Sequence, residues 1–226
     1  SGSRVTSGAR TSDQGFVRSR VWYNPQLKSQ ISMVPALMGI VLSLPALALS
    51  LSLTREKELG TLEGLMATPI EGVAYLAGKT SAYVATGAIG WLLSWLMATL
   101  WFKAPFRGQL GLLFLATVLY FLATAGVSLL ISSRISSQQT AMLLVMLIFF
   151  VPSFFLAGLI DPIDRTSPVA VLLSQPLPAT HYIAIARGIF LKGVGLETLL
   201  QPASMLLVMG LTALVVSALA FRKKLA

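Results

Sequence analysis

The chain has 226 residues, of which 55% are hydrophobic and 11% are charged. A soluble domain carries roughly a quarter charged residues, so this composition excludes an ordinary water-soluble globule. The formal net charge is +9, but the basic residues lie at the ends of apolar stretches and form no aromatic-interleaved patch, which argues against a nucleic-acid partner. The chain contains no cysteine, so disulfides and thiol chemistry are excluded.

Residues 1–30 are polar and rich in Ser, Gly and Arg at their start, without the apolar centre of a signal peptide. We expect a flexible lead-in or the end of an extracytoplasmic region there.

Five apolar stretches that follow are long enough to cross a bilayer as helices, at about 20 residues each. They predict spans over residues 31–53, 81–102, 109–131, 140–160 and 202–221. The expected fold is therefore all-α, a polytopic helical membrane protein. Pro45 and Pro152 should kink their helices, which a bundle tolerates when neighbouring helices satisfy the freed carbonyls. No span has a charge at its centre, which argues against an ion-coupled carrier.

Orientation follows from the charges beside the spans. Residues 221–226 read FRKKLA, and basic residues next to a span favour the cytoplasmic side. With five spans, the link 54–69 then lies inside the cell and the link 161–201 lies outside. Within this outer link, residues 178–193 predict a short apolar helix with a glycine stop, too short to cross. Tyr182 and Phe190 lie among its apolar positions and Arg187 interrupts them, so we expect it to lie in the interface or to dip in and return.

The link 54–69 (TREKELGTLEGLMATP) packs five charges between apolar spans. On a helix, Leu59, Leu62, Leu65 and Met66 share one face. Glu56 and Glu63 lie on roughly the opposite side, and Glu58 projects into the apolar arc. One interpretation is a solvated loop whose charges only keep it out of the bilayer. A carboxylate inside an apolar face is costly without a partner, however, so the pattern favours docking onto another protein.

Two glycines complicate this helix. Either the helix bends at Gly60, or Thr61 caps a second short helix that has Glu63 in its first turn. Thr68 and Pro69 end the element in both cases.

The sequence holds only weak candidates for nucleotide-binding, catalytic or metal-binding motifs. Residues 72–80 (GVAYLAGKT) resemble a phosphate-binding loop but hold one residue too many between the glycines. We expect a helix entry there, with Lys79 reaching the headgroups, and no ATP site. Asp161 and Asp164 fit a turn beside Pro162, and the lone His181 fits a structural role better than a ligand. No catalytic or metal-binding pattern is evident.

The region from Arg20 to Lys224 resembles the membrane subunit of ABC-2 type exporters, in the branch that works with periplasmic adaptor proteins. The matching segments are RVWYNPQLKSQISMVP, LTREKELGTLEGLMATPIE, GKTSAYV, FRGQLGLLFLATVLYFLATAGVSLLISSRISSQQTAML, SFFLAGLIDPID and ARGIFLKG. Their order and spacing agree over most of the chain.

The resemblance implies six spans in the family, of which this chain holds spans two to six. It implies that the link 54–69 is the coupling helix, which lies in a groove of a cytoplasmic ATP-binding subunit. Its contact residues would be Arg55, Glu56, Glu58, Gly60, Thr61, Leu62, Glu63 and Met66, with Glu58 pairing at the seam. The short outer helices, with Tyr182, Arg187 and Phe190, would cap the exit path.

The resemblance also implies partners and a location. ATP and Mg²⁺ would bind the partner ATPase and no cofactor would bind this chain. A second permease copy or a homologue would complete the path. The protein would lie in the bacterial inner membrane among its lipids, and a periplasmic adaptor and an outer-membrane channel would extend the route.

Two rival interpretations remain. The first is a membrane anchor or assembly factor for a soluble ATPase, without transport. The second is an integral-membrane enzyme acting on lipid, which would need Asp161, Asp164 and His181.

Overall fold

The computed structural model describes residues 29–61, 64, 72–150, 172 and 174–222. In this part of the chain the regular secondary structure is entirely helical. The α-helices are α1 (Ser29–Val41), α2 (Leu44–Glu58), α3 (Gly72–Leu96), α4 (Leu110–Arg134), α5 (Gln138–Val145), α6 (Pro178–Arg187) and α7 (Leu196–Arg222). Three of them continue into π-helical turns, Met97–Trp101 after α3, Met146–Phe150 after α5 and Gly188–Lys192 after α6.

Four helical stretches of the described chain are long and apolar enough to cross a membrane. They are Met33–Glu58, Ala74–Trp101, Leu110–Arg134 and Leu196–Ala220. The predicted all-α, polytopic class is therefore confirmed. Of the predicted span 140–160, the described part is the apolar helix Gln138–Phe150, and residues 151–160, with Pro152, lie outside the described residues.

The first span is broken where Pro45 predicts a kink. Helix α1 ends at Val41, a turn follows at Leu42 and Ser43, and α2 starts with Pro45 in its first turn, where its missing N–H is harmless. Ser43 bonds through its N–H to the carbonyl of Ile40, at 3.0 Å. The carbonyl of Gly39 thereby loses its helical donor and instead accepts a hydrogen bond from the Tyr120 hydroxyl of α4, at 2.7 Å. A neighbouring helix thus satisfies the carbonyl freed by the turn. The carbonyl that lacks a donor because of Pro45 itself is that of Val41, four residues earlier.

Several helices extend beyond the apolar runs that predicted them. Helix α2 continues to Glu58, α3 already includes Gly72, and α7 starts at Leu196 with Pro202 inside it. The predicted helix entry at Lys79 is therefore wrong, because Lys79 lies in the interior of α3. Apolar composition marks only the lipid-spanning part of a helix, and polar turns can extend it at either end.

The third and last spans form the tightest helix pair. A Cβ atom on Gly126 of α4 would lie 2.9 Å from the Cβ of Ala213 and 3.1 Å from the carbonyl oxygen of Gly210, both in α7. A Cβ atom on Gly210 would lie 2.9 Å from Leu122, further back in α4. Because later residues of α4 meet later residues of α7, the two helices run parallel. They therefore end at the same face of the bundle.

Helix α6 is inserted among the spans. Its side chains Tyr182, Ile183 and Ile185 are buried. Gly39 in α1 allows this approach, since a Cβ atom there would lie 3.0 Å from Ile183 and 3.3 Å from Tyr182. Of the two predicted placements, interfacial or dipping in and returning, the burial favours the second.

The outward faces of the spans are apolar. Large side chains such as Leu100, Trp101 and Val215 are 72%, 75% and 58% exposed, which suits contact with lipid chains rather than water. An open apolar groove of about 310 Å³ lies between α1 and α3. Its lining comprises Val34, Leu37, Met38, Val41, Leu93, Ser94, Met97, Ala98 and Phe102.

Candidate functional site

The charged end of the first span is the candidate site. Three consecutive residues at the end of α2, Glu56, Lys57 and Glu58, reach three other helices. Successive side chains on a helix point about 100° apart, so the end of a helix between several neighbours can contact each of them with adjacent residues. We call residues 55–61 the junction.

Glu56 joins α2 to α3. Its Oε1 lies 2.5 Å from the Nζ of Lys79, and its Oε2 accepts a hydrogen bond from the Tyr75 hydroxyl. Lys79 also donates to the Tyr75 hydroxyl at 3.1 Å. The Lys79 side chain is only 12% exposed and that of Glu56 35% exposed. The prediction that Lys79 reaches the headgroups is wrong, because its ammonium is paired inside the protein.

Lys57 joins α2 to the end of α4. Its ammonium donates a hydrogen bond to the carbonyl oxygen of Ser132. Ser132 lies in the last turn of α4, where carbonyls have no partner within the helix and the helix dipole favours a cation.

Glu58 joins α2 to the start of α5. Its Oε2 accepts the backbone N–H of Gln138, the first residue of α5, at 2.9 Å. Ser137, which precedes Gln138, forms no side-chain capping bond. A carboxylate from another helix thus takes the usual place of a capping side chain, where the dipole favours an anion. The Glu58 side chain is exposed rather than enclosed in an apolar face, and its hydrogen bond comes from within the chain.

The remaining described junction residues face outward. Arg55 is exposed, and its side chain forms no hydrogen bond or ion pair with the described part of the chain. Gly60 adopts φ +69°, and α2 ends before it. The choice between a bend at Gly60 and a second short helix that starts at Thr61 stays a prediction, because residues 62 and 63 lie outside the described residues. The hydroxyl of Thr61 donates to the carbonyl oxygen of Glu56 at 3.1 Å. Leu62, Glu63 and Met66 lie outside the described residues.

Two of the three predicted outer residues, Tyr182 and Phe190, are buried beside aromatic side chains. Tyr182 is buried, its ring stacks on that of Tyr120 at 4.7 Å, and its hydroxyl lies 3.1 Å from the Oγ1 of Thr117. Phe190 is also buried and packs edge-to-face on Phe106 at 5.0 Å.

The outer helix is fastened to the turn before α4. The N–H of Arg107 donates to the carbonyl of Phe190 at 3.3 Å. Gly193 stops the helix at φ +62°, as predicted, and a Cβ atom there would lie 2.9 Å from the Arg107 carbonyl oxygen. Arg187, in the last turn of α6, is partly buried.

His181 has a structural contact. Its Nε2 lies 2.9 Å from the carbonyl oxygen of Gln175, which fits the structural role predicted for it. In the described ranges, no group of three His, Asp or Glu side chains could hold a metal ion. Asp161 and Asp164 lie outside those ranges.

Sequence reasoning missed Lys57, Tyr75 and Gln138 as parts of the site. The spacing of Tyr75 and Lys79, four apart on one helix, was an available signal that both face the same neighbour. Lys57 beside two carboxylates gave no such signal, because its partner is a backbone carbonyl. Backbone partners depend on tertiary packing and leave no mark in the sequence.

Comparison with known proteins agrees with this architecture. Residues 8–219 match the family described as ABC-2 family transporter protein. The chain is 33% identical to the probable multidrug ABC transporter permease YbhS of Escherichia coli (strain K12), over 78% of this chain and 47% of that protein. It is 32% identical to the probable multidrug ABC transporter permease YbhR of the same organism, over 91% of this chain and 56% of that protein.

A third relative is the inner membrane transport permease YhhJ of Escherichia coli (strain K12), 26% identical over 92% of this chain and 56% of that protein. The chain spans about half the length of these curated relatives. The chain is thus a multi-pass membrane protein that belongs to the ABC-2 family of transporter proteins.

Proposed function

We propose that the chain is the membrane-spanning permease part of an ATP-driven exporter, which couples to a separate cytoplasmic ATP-binding subunit. The junction is the observation that carries this proposal. Residues 56–58 tie the end of one span to three other helices, so a force applied at this point reaches most of the described bundle. ATP and Mg²⁺ would bind the partner subunit, and the permease itself would catalyse no reaction.

The exposed side of the junction supports contact with a partner. Arg55 is exposed, and Leu59 is 65% exposed beyond the last turn of α2. A cation beside an exposed apolar side chain offers both charge and apolar surface to a docking protein. Glu56 and Glu58 already bind within the chain, so we assign their main role to holding the junction. Arg55, Gly60, Thr61, Leu62, Glu63 and Met66 would form the docking surface.

The charges support a cytoplasmic junction. Because α4 and α7 are parallel, the end of α7 lies at the same face as the junction, and α7 ends within the basic sequence FRKKLA. Basic residues beside a span favour the cytoplasmic side. The outer helix α6 and the turn before α4 then face the other side of the bacterial inner membrane. There Tyr182, Arg187 and Phe190 would close the exit path between two permease copies or a copy and a homologue.

The cargo would be lipophilic. The faces that α3 and α7 present outside the bundle are apolar, and two relatives are named as probable multidrug permeases. A path between two such subunits would offer apolar contacts and few charges. ATP-driven closure of the partner subunits would shift the pair between inward- and outward-facing packing. A periplasmic adaptor and an outer-membrane channel would receive the cargo.

The test uses the full-length protein purified from membranes in mild detergent. We expect a soluble protein with a phosphate-binding loop to co-purify in stoichiometric amount. In proteoliposomes the complex should hydrolyse ATP faster when a lipophilic compound is added, and should move that compound. Arg55→Glu should reduce both activities, while Glu197→Gln, an exposed acid at the opposite end of the bundle, should not.

Two outcomes would reject the proposal. If no ATPase co-purifies in detergents that preserve other membrane complexes, the coupling role fails. If an ATPase binds but no compound stimulates it or is moved, the chain is a membrane anchor for that ATPase.

A further inference from the structure

We propose that Lys57 and Glu58 are positioning residues that transmit movement of the junction to the turn between α4 and α5. This inference rests on the proposed function and specifies which contacts carry the motion. Helix α2 also packs on α4 through an apolar cluster of Leu49 and Leu53 with Ala125 and Leu129. Those contacts lie six or more residues before the turn, whereas Lys57 and Glu58 contact its two ends.

The two residues hold opposite sides of the same short turn. Lys57 bonds to Ser132, two residues before the end of α4, and Glu58 bonds to Gln138, the first residue of α5. Only Ile135, Ser136 and Ser137 separate the two helices. A turn held at both ends cannot shift along α2 or rotate away from it without breaking one of these bonds.

The charges match the ends they hold. The ammonium of Lys57 lies at a helix C-terminus and the carboxylate of Glu58 at a helix N-terminus, which is the favourable arrangement at each end. The order of the two charges along α2 is therefore fixed by the order of the helix ends. Exchanging Lys57 and Glu58 would place each charge at the end that disfavours it, although the composition of the junction would be unchanged.

Glu56 serves a separate connection. Its partners are the side chains of Lys79 and Tyr75 in α3, so it ties the first span to the second. Loss of the contacts from Lys57 and Glu58 would leave this tie in place. The two connections can therefore be tested separately.

Helix α4 connects the turn to the outer helix α6. It is a continuous helix from Leu110 to Arg134, and near its middle Tyr120 and Thr117 contact Tyr182 of α6. Displacing the end of a continuous helix displaces the contacts along it. Movement of the turn would thus reach the inserted outer helix through packed side chains and one span.

The experiment uses the full-length permease with its co-purified ATPase in proteoliposomes. Amide hydrogen exchange is compared between the nucleotide-free and nucleotide-trapped states, in residues 55–61 and in residues 135–141. In the unmodified complex both segments should change their exchange on trapping. In the Lys57→Met/Glu58→Ala variant, the change in 55–61 should persist and the change in 135–141 should be lost.

In the same variant the amount of compound moved per ATP hydrolysed should fall by at least about fivefold, as expected for loss of an energetic coupling. Glu58→Gln keeps an oxygen acceptor and should show a smaller loss. Exchange of the two charges, Lys57→Glu/Glu58→Lys, should be at least as damaging as their removal. Glu197→Ala removes an exposed acid from the first turn of α7 and should behave as the unmodified complex.

The outcomes separate the two hypotheses. If residues 55–61 do not respond to nucleotide in the unmodified complex, the proposed coupling function itself fails. If they respond but 135–141 do not, or if 135–141 still respond in the double variant, the transmission by Lys57 and Glu58 is rejected. Should the double variant not purify as a folded complex, the single variant Glu58→Ala, which removes the acceptor of the Gln138 N–H, is tested by the same comparison.

Discussion

The hydroxyl of Tyr120 donates a 2.7 Å hydrogen bond to the carbonyl oxygen of Gly39, 81 positions earlier in the chain. The acceptor is the carbonyl freed by the break between α1 and α2. Both groups are buried in the bundle, where no water can replace the bond. The contact therefore allows the first span to be broken at a depth where an unpaired carbonyl would be costly.

Tyr120→Phe removes this donor and little else. We expect a loss of about 1–3 kcal/mol in the free energy of unfolding, because the Gly39 carbonyl stays buried without a partner. Unfolding in mixed micelles by titration with a denaturing detergent would measure it. Tyr83→Phe is the matched control, since Tyr83 is partly buried in α3 and its hydroxyl makes no hydrogen bond in the described part of the chain. Equal losses in the two variants would contradict the role of the bond.

Gly126→Ala tests the parallel pair of α4 and α7. The added methyl would meet the Ala213 methyl at 2.9 Å and the Gly210 carbonyl oxygen at 3.1 Å, and helix backbone cannot move aside cheaply. We expect destabilisation of about 1–3 kcal/mol from overpacking. Gly90→Ala in α3 is the control, because a methyl there meets no atom within 4 Å. It should be neutral or slightly stabilising, and a loss as large as that of Gly126→Ala would contradict the close-contact explanation.

The Glu56–Lys79 pair can be measured by a double-mutant cycle. Glu56→Gln leaves the largely buried Lys79 ammonium without its carboxylate, and should cost about 1–3 kcal/mol. Adding Lys79→Met removes that unpaired charge, so the double variant should lose less than the sum of the single variants, by about 0.5–3 kcal/mol. Glu197→Gln, an exposed acid outside this cluster, serves as the reference. Strict additivity in the same unfolding assay would show that the two charges do not interact.

Gly193→Ala tests the fastening of the outer helix. The residue has φ +62°, and its new methyl would lie 2.9 Å from the carbonyl oxygen of Arg107. The left-handed conformation alone costs an alanine roughly 1–2 kcal/mol. We expect faster proteolysis of the outer link and a lower melting temperature. Gly195→Ala, two residues on and with nothing within 4 Å, should leave both unchanged, and similar behaviour of the two variants would argue against the fastening.

The four spans that the structure describes, and their order, were predictable from the sequence because lipid imposes a simple requirement. A stretch of about 20 apolar residues has few alternatives to a membrane helix. The break near Pro45 and the stop at Gly193 were predictable for a similar reason, since proline lacks an N–H and glycine tolerates a positive φ. The ends of the helices were less predictable, because polar turns such as those around Lys79 extend a helix beyond its apolar run.

The candidate site was only partly predictable. The sequence indicated that Glu58 needs a donor, and it did not indicate that the donor is the N–H of Gln138, 80 positions away. The burial of α6 was likewise ambiguous, since an apolar segment with one arginine suits an interface as well as a pocket among spans. In both cases the deciding partner is distant in the sequence, and local patterns carry no information about it.

The parallel packing of α4 and α7 also constrains how the protein is made. The ribosome synthesises α4 before α7, so the surface around Gly126 forms before its partner residues Ala213 and Gly210 exist. A nascent chain stopped before Leu196 would therefore leave that surface without the helix that covers it.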